Sequence, residues 1–336
     1  MTGALVFETR ELIPPPISRM TNVRPRTIAC LLRGIFQSAA GFAAIFVGLW
    51  QGVDVGLIYH GGGMIPDFPV FYWSWDFARE SLAHPGGAAD YLSSLLMQAL
   101  FLSWFGALVL TLQSGIIYVS ARRCVKALDL PSPDLLGFIA PLLFFGIYVR
   151  YGCEAQAVMD LTLALAALGL FTLLPADRPG IRWAGLVLGL ALLYPVGAGA
   201  EAVFTLTVAL LEWRRSGGWR MSVGALALGV ALPLVEGWLI FGLAPEEVFA
   251  SLLPVTQVHS NKNPHGLVPL GALYCLLPTL GLGALAREMW SKLLEATARH
   301  PLHDPGVACA AAQAAPLARS PSMLKLTVRY PHPQSW

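Results

Sequence analysis

The chain has 336 residues, of which 56% are hydrophobic and only 12% are charged. Soluble domains carry roughly 25% charged residues, so this composition excludes an ordinary soluble enzyme and a disordered chain. The net charge of +2 provides no basic field for nucleic acid. The composition therefore predicts an integral membrane protein that crosses the bilayer several times.

Apolar stretches of membrane length recur along the chain, and short charged or polar segments separate them. A bilayer core of about 30 Å needs about 20 helical residues. The pattern predicts an all-α, polytopic bundle of about eight transmembrane helices, with an outer loop of interfacial helices between spans 1 and 2. The predicted spans are 34–50, 91–120, 135–149, 155–174, 183–196, 198–213, 221–241 and 266–286. We expect spans 5 and 6 to be the limbs of a hairpin that is broken at Pro195-Val196-Gly197.

The predicted spans divide the chain into three parts. Residues 1–33 carry five arginines and no cleavable signal peptide, which indicates a cytoplasmic N-terminal tail. Residues 34–286 form the transmembrane domain, with the outer loop at 51–90. Residues 287–336 are predicted to be cytoplasmic, as a short amphipathic helix to Arg299 followed by a loosely ordered tail.

The distribution of basic residues sets the orientation. If both termini are cytoplasmic and the eight spans alternate, all but three of the 22 Lys and Arg residues lie on the inner side. The three on the outer side are Arg79, Arg150 and Lys262. This bias agrees with the excess of Lys and Arg in cytoplasmic loops of membrane proteins.

The outer loop at 51–90 combines acidic and aromatic side chains. Ser74 is placed to cap a short helix over 75–83, with Asp76 in its first turn. We take Asp54, Asp67 and Asp76 as candidate catalytic carboxylates, since such a group could act as general base or hold a divalent cation. The alternative is that Asp76 and Asp90 stabilise helix starts and that the aromatics form an interfacial belt.

Ionisable residues at membrane depth are functional candidates, because charge in hydrocarbon is unfavourable. Asp160 and Glu236 join the candidate catalytic residues. The candidate substrate-binding residues lie in or near the outer half of the membrane and are Arg150, Glu154, Glu201, His259, Lys262 and His265. The alternative is an Arg150–Glu154 pair, with the acids protonated or hydrogen-bonded between helices. No metal site is predicted, because the two histidines lack supporting Cys or Glu spacing.

The segment over 68–113 contains an aromatic stretch, Pro-Gly-Gly, a tyrosine, a glutamine within the next span, and Gly-Ala. The residues are Phe71, Tyr72, Pro85, Gly86, Gly87, Tyr91, Gln98, Gly106 and Ala107. This pattern resembles a family of uncharacterised bacterial multi-pass membrane proteins that are catalogued as a domain of unknown function. The resemblance implies a bacterial inner-membrane protein. In that family the membrane domain continues into a longer soluble C-terminal part.

In layout the chain is also similar to integral-membrane glycosyltransferases of the GT-C class, which have a large outer loop with an acidic residue after the first span. The resemblance implies transfer of a sugar from a polyprenyl-linked donor at the outer face. Asp54 or Asp67 matches the position of the acidic motif, without the paired acids often found in that class. The basic residues suited to a phosphate leaving group are Arg150, Lys262, His259 and His265.

Three hypotheses on function stay open at this point. The first is a GT-C-like transferase, the second a non-catalytic subunit of an envelope complex, and the third a proton- or cation-coupled transporter that uses Asp160, Glu201 and Glu236. The predicted partners are membrane lipids, a polyprenyl-linked sugar and other envelope proteins, with no nucleic acid. No organic cofactor is identified, because phosphate-loop and Rossmann motifs are absent. A divalent cation is the one inorganic cofactor considered.

Overall fold

The computed structural model describes residues 38–53, 55–59, 71–149, 155–216, 219–252 and 264–299. All regular structure within these residues is helical, which confirms the all-α prediction for this part of the chain. In chain order the helices are α1 (Ser38–Gly52), α2 (Val55–Tyr59), α3 (Trp75–Ser81), α4 (Gly87–Ala99), α5 (Ser103–Ala127), α6 (Pro133–Tyr148), α7 (Ala155–Phe171), α8 (Pro179–Gly197), α9 (Glu201–Ser216), α10 (Trp219–Glu236), α11 (Pro245–Ser251) and α12 (Pro264–Arg299).

Four helical stretches of the described chain are long and apolar enough to cross a membrane, namely Ser103–Ala127, Pro179–Arg215, Trp219–Phe241 and Val268–Glu295. Three apolar helices are shorter, namely Ser38–Gly52, Pro133–Tyr148 and Ala155–Phe171. These are the helices expected of a membrane protein, because each long one can satisfy its backbone polar groups within hydrocarbon. The count of eight spans stays a prediction.

The predicted span over 91–120, which is long enough to cross with a tilt or a bend, is divided between α4 and α5. The chain leaves the helical conformation between α4 and α5, where Leu102 is extended with φ −97° and ψ 105°. A Cβ atom built on Gly106 would lie 2.8 Å from the Leu100 α-carbon and from a Val55 methyl carbon. Close packing of three segments at a glycine therefore causes the break, and hydropathy alone does not report it.

Helices α8 and α9 form the predicted hairpin. Arg182, near the start of α8, donates a hydrogen bond from Nε to the Glu212 carboxylate near the end of α9, at 2.9 Å. These residues are 30 apart, and a straight helix would separate them by about 45 Å. The chain reverses at a 3₁₀ turn over Ala198–Ala200. The hairpin is thus confirmed, with its turn just after the predicted Pro195-Val196-Gly197 break.

Helix α5 packs through aromatic and polar contacts with three other helices. Tyr118 of α5 makes edge-on ring contacts with Phe42 of α1 and Phe138 of α6. Gln113 of α5 donates a buried hydrogen bond to Thr162 of α7 at 2.9 Å. An amide–hydroxyl pair of this kind is a common contact between helices in apolar surroundings. These contacts fix α7, which carries Asp160, against the rest of the helices.

Helix starts follow local chemistry at one position and depart from it at another. Ser74 accepts a hydrogen bond from the Phe77 backbone N–H at 3.2 Å, so its predicted capping role is confirmed. Helix α3 ends at Ser81, two residues before the predicted end. Ser132 adopts a left-handed conformation, with φ 52°, and its side chain does not cap α6. There Asp134 forms an ion pair with Arg122 of α5 instead.

Helix α12 has 36 residues and continues without interruption past Ala286. The amphipathic helix that was predicted separately over 287–299 is therefore the C-terminal part of α12. Its predicted apolar residues Met289, Trp290, Leu293 and Leu294 are exposed. By internal contacts the chain comprises two compact units, Met1–Pro278 and Thr279–Trp336.

Candidate functional site

The turn between α8 and α9 brings backbone close to a carboxylate on α7. The turn residues Ala198, Gly199 and Ala200 are small and buried. A Cβ atom built on Gly197 would lie 3.4 Å from both the α-carbon and Oδ1 of Asp160. Small side chains at this turn therefore allow the hairpin to approach α7 closely enough to enclose an acidic side chain.

Asp160 is completely buried in the first half of α7, with 0% of its surface exposed. Neither carboxylate oxygen has a hydrogen-bond partner among the described residues. The backbone N–H of Gly199 faces the carboxylate, without reaching hydrogen-bond geometry. Among the described residues, the charged side chains within electrostatic range are those of Asp90 and His84. A buried carboxylate without a partner is rare in proteins, because desolvation of its charge is very unfavourable.

Glu201 and Glu236 form a second pair of acidic groups next to the same turn. Glu201 is the first residue of α9 and is 0% exposed, and both of its oxygens lack partners among the described residues. Glu236, half-buried at the end of α10, has one buried oxygen without a partner. The two carboxylates are within electrostatic range of each other. The start of a helix favours negative charge, so the backbone of α9 partly compensates the charge of Glu201.

The phenol of Tyr194 lies between this acidic pair and α11. Its hydroxyl oxygen is 3.5 Å from Oγ of Ser251, and both Glu201 and Glu236 act on it electrostatically. A Cβ atom built on Gly237 would lie 2.9 Å from the same hydroxyl. Tyr194 therefore adds a polar group that can both donate and accept a hydrogen bond next to the carboxylates.

A partly exposed ion pair lies within electrostatic range of Asp160, with His84 on the segment that joins α3 to α4 and Asp90 in the first turn of α4. Nε2 of His84 is 3.7 Å from Oδ2 of Asp90, and the side chains are 48% and 29% exposed. Nδ1 of His84 donates to the Pro85 carbonyl at 3.2 Å. The Asp90 carboxylate raises the pKa of His84 above its usual 6.5, although partial burial of the imidazole acts in the opposite direction.

Three of the predicted site residues, Asp160, Glu201 and Glu236, lie around the α8–α9 turn. Asp76 is exposed in the first turn of α3, so the structure gives it a helix-start position. The predicted residues that lie outside the described residues are Asp54, Asp67, Arg150, Glu154, His259 and Lys262. His265 lies on α12, within Pro264–Arg299, and its side chain is also outside the description.

The sequence-based site missed His84 and Tyr194, and assigned Asp90 only to a helix start. A signal for His84 is present in the run His84-Pro85-Gly86-Gly87, of which only Pro85, Gly86 and Gly87 enter the family pattern. Its location beside Asp160 depends on a long-range contact, because the Gly86 N–H donates to the Tyr194 carbonyl at 3.1 Å. Local sequence patterns cannot predict a contact between residues this far apart in the chain.

The described carboxylates do not form a compact set of metal ligands. No group of three His, Cys, Asp or Glu side chains in the described ranges lies close enough together to hold a metal ion. A divalent ion such as Ca²⁺ takes six to eight oxygen ligands, as a general rule. The arrangement instead suits binding and release of protons by carboxyl groups that are arranged along a turn.

A protein family model matches residues 42–315, which is most of the chain. Its description is a family of unknown function, DUF6057. The chain belongs to this family. Comparisons with curated proteins and with solved structures give no significant match.

The DUF6057 region contains the whole candidate site, because His84, Asp90, Asp160, Glu201 and Glu236 all fall within residues 42–315. It also contains the segment over 68–113 that resembles a family of unknown function. That coarse prediction is confirmed, and the match extends well beyond the segment on which it was based. The site is therefore part of the domain that defines the family.

Proposed function

We propose that this DUF6057 protein is a proton-coupled membrane transporter, and that Asp160, Glu201 and Glu236 are its proton-binding groups. The observation that carries the proposal is that Asp160 and Glu201 are fully buried and have no hydrogen-bond partner among the described residues. Intramembrane acids of this kind form proton relays in pumps and transporters. In this proposal the protein lies in a bacterial inner membrane with both termini in the cytoplasm.

The physical basis is the free energy of an ionised carboxylate in apolar surroundings. Burial of an unpaired carboxylate is strongly unfavourable, whereas the protonated acid is neutral and can donate a hydrogen bond. The folded protein is therefore most stable when the carboxyl groups of Asp160 and Glu201 are protonated. Loss of a proton creates a charge that only rearrangement or water can stabilise. Proton binding and conformation are coupled by this difference, since the two protonation states favour different surroundings.

The hairpin geometry supports the proposed orientation. The turn with Glu201 is at one end of α8 and α9, and the arginines Arg182, Arg214 and Arg215 are at the other end. Basic residues are enriched on the cytoplasmic side of membrane proteins. The carboxylates therefore belong toward the outer face, from which protons would enter.

The test is proton movement in liposomes that contain the purified full chain. A potassium gradient with valinomycin sets an inside-negative potential, and a trapped pH dye reports proton influx. We expect influx with the wild type and its loss in Asp160→Asn and Glu201→Gln. Glu246→Gln is a matched control, since Glu246 is an exposed acid in the first turn of α11. Equal proton influx in the wild type and in Asp160→Asn would contradict the proposal.

A second candidate is a GT-C-like transferase that acts on a polyprenyl-linked sugar at the outer face. It is favoured by the aromatic residues before and within α3, of which Tyr72, Trp73 and Trp75 are exposed, Trp73 by 86%. Aromatic side chains of this kind suit a segment that lies among lipid headgroups. Asp54, Asp67 or Asp76 would then be general base or metal ligand, and product formation unchanged in all three Asn variants would exclude this role.

A further inference from the structure

The Asp160 side chain is 0% exposed, so a proton that reaches it from water passes through other groups. Its side chain is buried by α7 and by the turn between α8 and α9. Proton exchange between a fully buried acid and solvent requires a relay of groups within hydrogen-bond reach or linked by water. The described side chains with titratable charge that act on Asp160 are Asp90 and His84. His84 belongs to the segment that joins α3 and α4, and Asp90 lies in the first turn of α4.

The segment that carries His84 is attached to the same end of α8 that covers Asp160. The Gly86 N–H donates to the Tyr194 carbonyl at 3.1 Å. Tyr194 and Gly197 are three residues apart and so lie on one side of α8. A Cβ atom built on Gly197 would be 3.4 Å from Oδ1 of Asp160. Two contacts with one helix end therefore bring the partly exposed His84–Asp90 pair within electrostatic range of the buried carboxylate.

Backbone geometry keeps this segment in place. Gly86 has φ 77°, a left-handed conformation that favours glycine. A Cβ atom built on Gly87 would lie 1.8 Å from the Ser81 carbonyl oxygen, so only glycine fits between α3 and α4. The Asp90 N–H then donates to the Gly86 carbonyl at 3.2 Å in the first turn of α4. The turn that presents the pair is thus fixed by the two glycines of the Pro85-Gly86-Gly87 run.

We propose that His84 and Asp90 form the proton inlet of the site, and transfer protons from the outer aqueous face to Asp160. The inference rests on the proposed function of Asp160. A proton from water binds the His84 imidazole, which is 48% exposed, and Asp90 lies 3.7 Å away on the inner side of the relay. His84 gives this proton to the Asp90 carboxylate, and the neutral Asp90 then passes it to the carboxylate of Asp160. Each transfer breaks one bond to hydrogen and forms another, so no other reactant is needed.

The charges around the pair suit this role. His84 faces Asp90 and Asp160, and both carboxylates favour its protonated form. Asp160 faces Asp90 and His84, while Glu201 faces Glu236 on α10. A histidine that gains and loses its proton near neutral pH is the usual side chain for such a step. The order from solvent inward is therefore His84, Asp90 and Asp160, by decreasing exposure of the side chains.

The experiment is a pH jump on the purified full chain in lipid nanodiscs, followed by time-resolved infrared spectroscopy. The C=O stretch of a protonated carboxyl group reports Asp160, and it is assigned as the band that Asp160→Asn removes. We expect His84→Gln and Asp90→Asn to slow the rise of this band on the order of 100-fold, as when a proton-transfer group is lost. The final amplitude at acidic pH should stay at the wild-type level, because the inlet changes the rate and not the capacity of Asp160.

Glu80→Gln is the matched control, since Glu80 is an exposed acid on α3 close to the same turn. It should leave the rate unchanged. A wild-type rate in both His84→Gln and Asp90→Asn would overturn the inlet while the Asp160 band remained, so the proposed function would stand. Absence of the band from the wild type would overturn both. A variant that fails to reach the wild-type amplitude at acidic pH would show that the pair positions Asp160, which also contradicts an inlet.

Discussion

Both ends of the α8–α9 hairpin bury ionisable side chains, but only one of them provides these side chains with partners among the described residues. At one end Arg182 and Glu212, whose side chains are 3% and 4% exposed, form an ion pair. At the turn Glu201 is equally buried and has no partner among the described residues. The paired end has what a stable fold requires, whereas the turn, the unpaired end, retains a buried acid of the kind found in proton relays.

The paired end is satisfied in several directions. Besides its bonds to Glu212, Arg182 donates from Nη1 to the Leu174 carbonyl at 3.0 Å. Its guanidinium carbon lies 4.7 Å from the centre of the Phe171 ring, in a cation–π arrangement. This planar group therefore ties the end of α7 to both limbs of the hairpin. Burial of an ionisable side chain therefore does not by itself indicate function here, because the two ends differ in hydrogen-bond and ion-pair partners and not in burial.

The largest expected effect on stability comes from removal of the ion pair at the paired end. Glu212→Ala leaves the Arg182 guanidinium buried without its carboxylate, so we expect a loss of about 3 to 5 kcal/mol in the free energy of unfolding. The measurement is denaturant unfolding in detergent micelles. Asp134→Ala is the control, because Asp134 pairs with Arg122 at the surface and should cost less than about 1 kcal/mol. Similar small losses in both variants would remove the distinction between the two ends.

A second prediction concerns the turn between α3 and α4, which packs against the unpaired end of the hairpin. Gly87→Ala forces a Cβ atom against the Ser81 carbonyl oxygen and should destabilise the protein by about 1 to 3 kcal/mol. Gly115→Ala is the control, since a Cβ atom built there meets nothing within 4 Å. That variant should be neutral or stabilising by up to about 1 kcal/mol, because alanine is the better helix former. Thermal unfolding in detergent compares the two, and equal shifts would contradict the packing of α3 against α4.

The third prediction is that removal of a buried carboxylate at the unpaired end, unlike removal of Glu212, does not destabilise the protein. Asp160→Asn and Glu201→Gln remove buried carboxylates that have no partner among the described residues, so stability at neutral pH should change by less than about 1 kcal/mol or increase. The same denaturant unfolding that tests Glu212→Ala provides the measurement. A loss of about 3 kcal/mol in either variant would show that the carboxylate is a structural partner, and the contrast between the two ends would disappear.

The smallest expected effect is pH dependence of the His84–Asp90 pair. Because the folded-state pKa of His84 is raised, the pair stabilises the protein fully below the usual pKa of 6.5. This stabilisation is lost as the pH rises through the raised folded-state value. Both groups are partly exposed, so the effect should be below about 1 kcal/mol. The measurement is the difference in unfolding free energy between wild type and His84→Gln, which should shrink with rising pH, and a difference that grows would contradict the pairing.

Local patterns in the sequence predicted much of the fold. Hydropathy placed helices in most of the predicted spans, and the Pro195-Val196-Gly197 break indicated the hairpin. The Ser74 cap and the position of Asp76 depend on a few adjacent residues, and both predictions are confirmed. Ser132 shows the limit of such patterns. A serine directly before Pro133 is typical of a helix cap, but its side chain does not cap α6, where Asp134 pairs with Arg122 of α5.

The sequence alone also determined that acids lie within apolar helical stretches, since charge is rare in such stretches and easily located there. Only the tertiary structure decided which of them have partners. Among the described residues Asp160 has no hydrogen-bond partner, whereas Glu212 is paired with Arg182 through a contact between helix ends that are distant in the chain. The break before α5 and the docking of His84 beside Asp160 have the same origin. Packing at glycine positions and backbone hydrogen bonds between distant segments act over separations that no local period of the sequence encodes.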